Sequence, residues 1–326
     1  MAVSQSPSQY ERYVVRRPLA EGGCAGVQGR DASRRVFLSD AQVPGCGHYL
    51  DLTWIDTDSQ PGAFATERVL DHDQLVLNIG MDWQRPQSLG ATVEFYLGGQ
   101  PIVFNTTTCI FIPRGMRYGP LFWKEFRRPY VMLGLVFGSG EEPIGQWWDG
   151  EAARKYASPP VPIPGTAVPG AGIDYEQYVI RSPLREAGPV HVDGRQNPTM
   201  TYLSAHQIPG LTTYLEFGWI WDVPQPPIPK MRHDDFDEIV LHIGSDPYFP
   251  EALGGVLQFG IGPDLLEFDT THCAFIPRAV DHGPLVWKEL RRPLIEMAVM
   301  VGAGTLEEGW RNSFFDSPGG GRRGPK

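Results

Sequence analysis

Residues 109–129, CIFIPRGMRYGPLFWKEFRRP, return as residues 273–293, CAFIPRAVDHGPLVWKELRRP, with 14 of 21 positions identical. Unrelated segments of that length would share about one or two, so the repeat constrains the whole architecture. The correspondence continues upstream at a nearly constant offset. VPGCGHYLDLTWI (43–55) matches IPGLTTYLEFGWI (208–220), LVLNIGMD (75–82) matches IVLHIGSD (239–246), and YERYVVRRPL (10–19) matches YEQYVIRSPL (175–184). Whatever one half folds into, the other must fold into as well.

Between the copies runs ASPPVPIPGTAVPGAG (157–172), whose Pro and Gly content suits neither a helix interior nor a central strand and reads as a linker. This divides the chain into a first unit at 1–156, a second at 173–315, and a polar, Gly-rich tail at 316–326 that has nothing to bury. Within each unit the apolar runs are short, β-branched or aromatic, and bounded by Gly and Pro, as in DEIVLHIG and PLIEMAVMV. With 38 Gly and 31 Pro in 326 residues, turns are plentiful. The expectation is an all-β chain of two tandem barrels with few short helices, one helical piece falling at EEPIGQWWDGEAARKYA (141–157).

Composition excludes several classes of function. At 41% hydrophobic and 20% charged, the chain is neither disordered nor fibrous. A net charge of -10 argues against nucleic acid as a partner, because phosphate binding needs clustered Lys and Arg. No run approaches the roughly 18 apolar residues of a membrane span, and the start, MAVSQSPSQYERY, has no signal-peptide character, so a cytoplasmic location is expected. Cys24, Cys46, Cys109 and Cys273 form no CxxC pair, which fits a reducing compartment. Phosphate loops, a strand–GxGxxG–helix unit and a GxSxG nucleophile elbow are all absent.

The chemistry-bearing residues fall in the second copy, in KMRHDDFDEIVLHIG (230–244) and IPRAVDHGPLVW (276–287). A histidine and carboxylates open a strand, and a second histidine follows a tight turn. This arrangement resembles the cupin superfamily, whose barrels carry a first motif HxHx(3,4)E leading through a strand to Gly, and a second motif PxGx2H. His233 and Glu238 match the last His and the Glu of the first motif, and Pro277 and His282 match the second. Met231 stands where the first His would be, and Ala279 where the second motif has Gly. The resemblance therefore implies a three-ligand metal site, His233, Glu238 and His282, in a two-barrel (bicupin) protein. Spacing from Gly244 would select Asp237 in place of Glu238, whereas strand parity favours Glu238.

Parity gives an independent argument. Glu238, Val240 and His242 share one strand face, and Ile239, Leu241 and Ile243 share the other. If the aliphatic face packs against a neighbouring layer, Glu238 looks into the barrel, where a carboxylate needs a cation or strong hydrogen bonds. Two histidines and one carboxylate with open positions suit non-haem Fe(II), and the same donors also bind Zn(II) or Mn(II).

The first copy serves as an internal control. Val69, Gln74 and Tyr118 replace His233, Glu238 and His282, while Gly80, Pro113, Trp123, Lys124 and Pro129 match their counterparts. The scaffold is kept where the donors are gone, so the first copy reads as structural. His242, Gln258 and Trp221 are the further pocket candidates, the last two because the first copy has Glu94 and Asp56 there. His206 and His272 read as surface or pocket-rim histidines. The WKEF/WKEL-RRP segments, present in both copies, read as a hairpin or an inter-barrel contact. The functional expectation is a metal-dependent oxygenase or dioxygenase acting on a small organic substrate with O2. The alternatives are a redox-neutral Zn or Mn isomerase, cyclase, lyase or decarboxylase, and a non-catalytic binding protein. Monomer and homodimer are both compatible with the sequence.

Overall fold

The computed structural model describes residues 9–21, 34–55, 68–141, 146–147, 173–186 and 192–311. Among these residues the β expectation holds: the chain forms four antiparallel sheets, two for each copy. In the second copy a seven-stranded sheet contains Thr213–Gln225, Asp237–Gly244, His272–Ile276 and Leu294–Val301. A three-stranded sheet of Ala252–Ile261, Asp264–Thr270 and His282–Leu290 lies over it. Ile220 and Val240 from the larger sheet join Leu257, Phe259, Leu285 and Trp287 from the smaller in one buried cluster, the interior of a double-sheet barrel. The first copy repeats the plan, with His48–Ile55, Gln74–Gly80, Thr108–Ile112 and Tyr130–Phe137 in its large sheet.

Strand alternation decides what faces what. Val240 belongs to the barrel interior, whereas Ile239, Leu241 and Ile243, all fully buried, belong to a cluster that includes the first copy's Leu75, Leu77 and Ile79. The aliphatic face read from the sequence does pack against a second layer, and that layer is the other copy. Burying such a side chain fully contributes about 1.5–3 kcal/mol, so the interface between copies is a major part of the core.

The repeated YERYVVRRPL and YEQYVIRSPL segments do not stay with their own copies. Val14–Val15 pairs with the second copy's His272–Ile276, and Val179–Ile180 pairs with the first copy's Thr108–Ile112. Each arm carries a tyrosine onto a glycine of the opposite barrel: a Cβ on Gly262 would meet the Tyr10 ring, and one on Gly98 would meet the Tyr175 ring. Both glycines have left-handed φ, +59° and +60°, which closes the tight hairpins Ala252–Thr270 and Ser88–Thr106. The arginines match too. Arg181 donates to the Val103 carbonyl at 3.1 Å and Arg16 donates to the Glu267 carbonyl.

Two expectations need correction or fall outside what is described. Gln146–Trp147, inside the expected helical piece, is a short strand pairing with Arg68–Val69, because its neighbouring edge is open there. The remainder of 142–172, including the linker, and the tail 316–326 lie outside the described residues. The described α-helix, Leu306–Trp310, is capped at Thr305, whose Oγ1 accepts from Glu308 N at 3.3 Å. The WKEF and WKEL segments end long strands of the smaller sheets, and the RRP that follows is corrected from a hairpin to a connection between sheets, carrying Tyr118–Phe126 over to Tyr130–Phe137 and His282–Leu290 over to Leu294–Val301 in the larger sheets. No described helix is long and apolar enough to cross a membrane.

Candidate metal centre

Backbone pairing brings the two motifs together. The segment before Asp237–Gly244 runs antiparallel to the start of His282–Leu290: Met231 N donates to His282 O at 2.7 Å, and His282 N donates to Met231 O at 2.9 Å. Two residues on, His233 O accepts from Ala279 N at 2.6 Å, tying the histidine loop to the turn before the second histidine. Ala279 has φ +64°, where the first copy has Gly115 at +75°. The turn demands left-handed backbone in both copies, and the second fills it with a residue that adopts it less readily.

The consequence is a compact, buried donor set. His233, Glu238 and His282 are 4%, 4% and 2% exposed. One ligand atom from each lies within 4.8 Å of the others, which no other His, Cys, Asp or Glu trio achieves among the described residues. Glu238 Oε2 is 2.9 Å from His282 Nε2 and 3.8 Å from His233 Nε2. The shorter contact lacks hydrogen-bond alignment, so both His233 ring nitrogens, Glu238 Oε2 and His282 Nε2 remain buried without a partner. Such orphaned atoms are costly unless a cation satisfies them, and the donor set fits a divalent ion. His282 Nδ1 faces the Val280 carbonyl at 3.3 Å, so it carries the proton and presents Nε2 inward.

Electrostatics agree with the geometry. Burial alone would raise Glu238, but the imidazoles of His282 and His233 hold its carboxyl below the usual range. For His282 burial opposes charge, yet Glu238 raises the imidazole above its ordinary value. His233 goes the other way, because burial outweighs the pull of the carboxylate.

The cavity at this cluster has a volume of about 90 Å³. Phe259, Leu285, Met300 and Trp310 supply apolar wall. A second polar group lines it: Arg195, Thr199, Glu216 and Glu296. Arg195 Nη1 pairs with Glu296 Oε1 at 2.9 Å, and Thr199 Oγ1 donates to Glu216 Oε2 at 2.7 Å. Burial pushes the Glu216 carboxyl up to about 7. Burial would raise Glu296 as well, but Arg195 and His242 hold it below the usual carboxylate range.

The remaining sequence candidates fall elsewhere. Asp237 points away from the cavity, accepting from Arg278 N at 2.8 Å, as Asp73 does from Arg114 N in the first copy, so it belongs to the shared scaffold. Gln258 is corrected from a pocket residue to an outer-face one: it alternates with inward Leu257 and Phe259 and donates to Glu267 Oε2 at 3.2 Å. Trp221 also leaves the pocket. It is 39% exposed and stacks on Trp83 of the first copy at 5.8 Å, while Trp219 is fully buried. His242 is fully buried behind the cavity, against His272 and Glu296. His206 is exposed, as read, whereas His272 is fully interior. Glu296 was missed although the copy comparison signals it, with Met132 at the equivalent position. Glu216 gave no such signal, since Asp51 is also acidic, and neither did Arg195, since the first copy has Arg30 at the same offset.

No protein-family model matches the sequence, and no curated protein does either. Solved structures do match in three dimensions. AerE from Microcystis aeruginosa superposes with a TM-score of 0.51 at 9% identity, over 88% of this chain and 99% of that one. A point mutant of oxalate decarboxylase OxdC from Bacillus subtilis gives a TM-score of 0.55 at 10% identity, over 87% of this chain and 80% of that one. Another Bacillus subtilis oxalate decarboxylase structure gives 0.51 at 12%, over 87% and 79%. Likeness at such low identity speaks for fold. With the duplicated double-sheet architecture and the paired motifs, it shows that the chain has the two-barrel cupin, or bicupin, fold.

Proposed function

We propose that the protein is a metal-dependent enzyme acting on a small organic molecule in the second barrel, with His233, Glu238 and His282 as the metal ligands. The observation that carries this reading is the trio of orphaned, buried donor groups converging on one cavity. A bound divalent ion would supply Lewis acidity or, as Fe(II), electrons for dioxygen chemistry. Two histidines and one carboxylate, with no fourth protein donor at Met231, favour Fe(II) and an oxygenase. The chain's own residues do the rest. Phe259, Leu285 and Met300 exclude water, Trp310 closes one wall, and Glu216 and Glu296 hold polar groups of a substrate.

A second reading is redox-neutral, a decarboxylase or isomerase using Mn(II) or Zn(II). It is supported by Glu216, a cavity carboxyl with its pKa raised to about 7 and so suited to proton transfer, and by oxalate decarboxylase among the similar structures. Metal analysis of protein purified without oxygen, followed by oxygen-electrode assays over a panel of small hydroxy and oxo acids, separates the two. Iron at one equivalent with substrate-dependent oxygen uptake supports the oxygenase. Manganese or zinc with turnover in the absence of oxygen overturns it in favour of the second reading. Absence of any metal, with none taken up on addition, would sink both.

A further inference from the structure

We infer that the second barrel takes a small organic acid whose carboxylate is held by Arg195, at the end of the cavity away from His233, Glu238 and His282. The inference rests on the metal-site reading, in which that cavity is the substrate pocket.

Arg195 reaches the cavity from the edge of the large sheet. Its strand, Asp193–Arg195, lies three strands across from Asp237–Gly244, about 14 Å by ordinary strand spacing. Arg195 pairs with Ile220, a residue of the barrel interior, and paired residues share a face, so the guanidinium points inward. Ile220 in turn lies opposite Leu294, one row beyond the row in which Glu296 faces Gly218. Gly218 has no side chain to block the way back, and Arg195 Nη1 comes to 2.9 Å from Glu296 Oε1.

Two observations separate this arginine from a purely structural ion pair. Its side chain is only 4% exposed, yet Nε and Nη1 have no hydrogen-bond partner, because the approach to Glu296 lacks alignment. Glu296, moreover, does not belong to Arg195 alone, since its other oxygen faces His242 Nε2 at 3.8 Å. A guanidinium carries five N–H donors in a planar fork, and leaving buried donors unmet is costly. The planar acceptor that matches such a fork is a carboxylate. Glu216 stands on the same cavity wall, its Oε2 already accepting from Thr199 Oγ1 at 2.7 Å. Burial favours its acid form, so its own proton is available to the second oxygen of an incoming carboxylate.

Charge points the same way. Glu238 and Glu296 are opposed by Arg195 and by the divalent ion that the donor set fits, which leaves one positive charge over when the imidazoles are neutral and Glu216 is protonated. A monoanion neutralises the buried cavity, whereas an uncharged molecule of the same shape leaves the excess in place. At about 90 Å³ the cavity is smaller than the roughly 150 Å³ that accommodates benzene, so the acid is short.

Propionate and propionamide test this, being alike in shape and different in charge. The protein is loaded with Co(II), and each compound is titrated while its proton NMR lines are followed. Propionate is expected to bind at least tenfold more tightly than propionamide. That ratio should fall at least fivefold in R195M/E296Q, which removes the cation together with the carboxylate it would strand. Paramagnetic broadening by cobalt should be stronger at the propionate methyl than at the methylene, because the carboxylate end is turned toward Arg195. An equal or reversed preference, an unchanged ratio in the folded double variant, or stronger broadening at the methylene overturns the Arg195 site and leaves the metal site standing. Should the double variant not fold by circular dichroism, R195K takes its place, where loss of the planar fork should lower the ratio at least threefold and an unchanged ratio overturns the proposal. No visible cobalt bands, or bands that persist unaltered in H233A, overturn the metal reading and this inference together.

Discussion

His242 Nδ1 lies 3.0 Å from His272 Nε2, two imidazoles facing each other in the dry interior of the second barrel. The tautomers follow from the partners. His272 Nδ1 sits 2.8 Å from the Thr270 carbonyl, which only accepts, so Nδ1 carries the proton and Nε2 is a lone pair. Burial, then the neighbouring His242, keeps His272 neutral by pushing it far below the ordinary histidine value. His242 Nδ1 must therefore donate, which turns its Nε2 toward Glu296 Oε2 at 3.8 Å. Removing the acceptor with H272A leaves a buried donor unsatisfied and should destabilise by about 2–3 kcal/mol. The double variant H242N/H272T, which installs the first copy's Asn78 and Thr108 pair, should cost about 1 kcal/mol less than the sum of its single variants. Urea denaturation of the four proteins measures that coupling.

Metal binding should raise the thermal midpoint of the wild type and leave H233A, E238Q and H282A unmoved. Because His282 holds its proton more tightly than an ordinary histidine, binding must release it. Affinity should fall with falling pH, starting at a pH above the ordinary histidine value because the His282 imidazole is raised. Calorimetric titration with Zn(II) in buffers of different ionisation enthalpy reads the proton release directly.

Glu216 gives a pH signature of its own in the metal-free protein. Its folded-state pKa, about 7, lies above the ordinary 4.5, so the folded state favours the protonated acid. The stability this contributes is complete below about 4.5 and is lost as pH rises through 7, at about 1.4 kcal/mol per pKa unit of displacement. E216Q should lack this loss. The difference in thermal midpoint between E216Q and wild type should therefore grow in favour of E216Q from pH 5 to pH 8, and a flat difference would contradict the buried acid.

The arm exchange predicts a matched pair of defects. In G98A the new methyl would stand 2.1 Å from Tyr175 Cε1, and in G262A 2.4 Å from Tyr10 Cζ, with backbone strain from positive φ added in each. Both should lose about 2 kcal/mol or more. The telling measurement is a limited-proteolysis time course, where each substitution should expose the arm belonging to the opposite copy.

Q258A should leave metal stoichiometry and affinity within twofold of wild type, since that side chain faces outward onto Glu267. A large loss of metal in Q258A would mean that the strand Ala252–Ile261 is turned the other way.

The sequence carried the architecture because duplication and strand alternation are both written in residue order. The parity of Glu238 against Ile239 placed one inside and the other against the opposite copy, and the structure keeps that division. The same logic failed for Gln258 and Trp221, where a difference between copies was read as proximity to a cavity. Parity alone does not say which face of a strand is inner when both flanks are apolar, and Trp221 lies past the point where its strand leaves the barrel wall for Trp83. Glu216 and Glu296 escaped because their nearness to Glu238 depends on strand order in space, which sequence spacing does not express.

Val14–Val15 and Val179–Ile180, each lodged in the far barrel, mean that neither half finishes its own sheet. A gene cut in the middle would yield two fragments that complete one another but not themselves. That mutual dependence gives the first copy, with Val69, Gln74 and Tyr118 where the second has His233, Glu238 and His282, a structural duty of its own: to be the wall against which its twin is built.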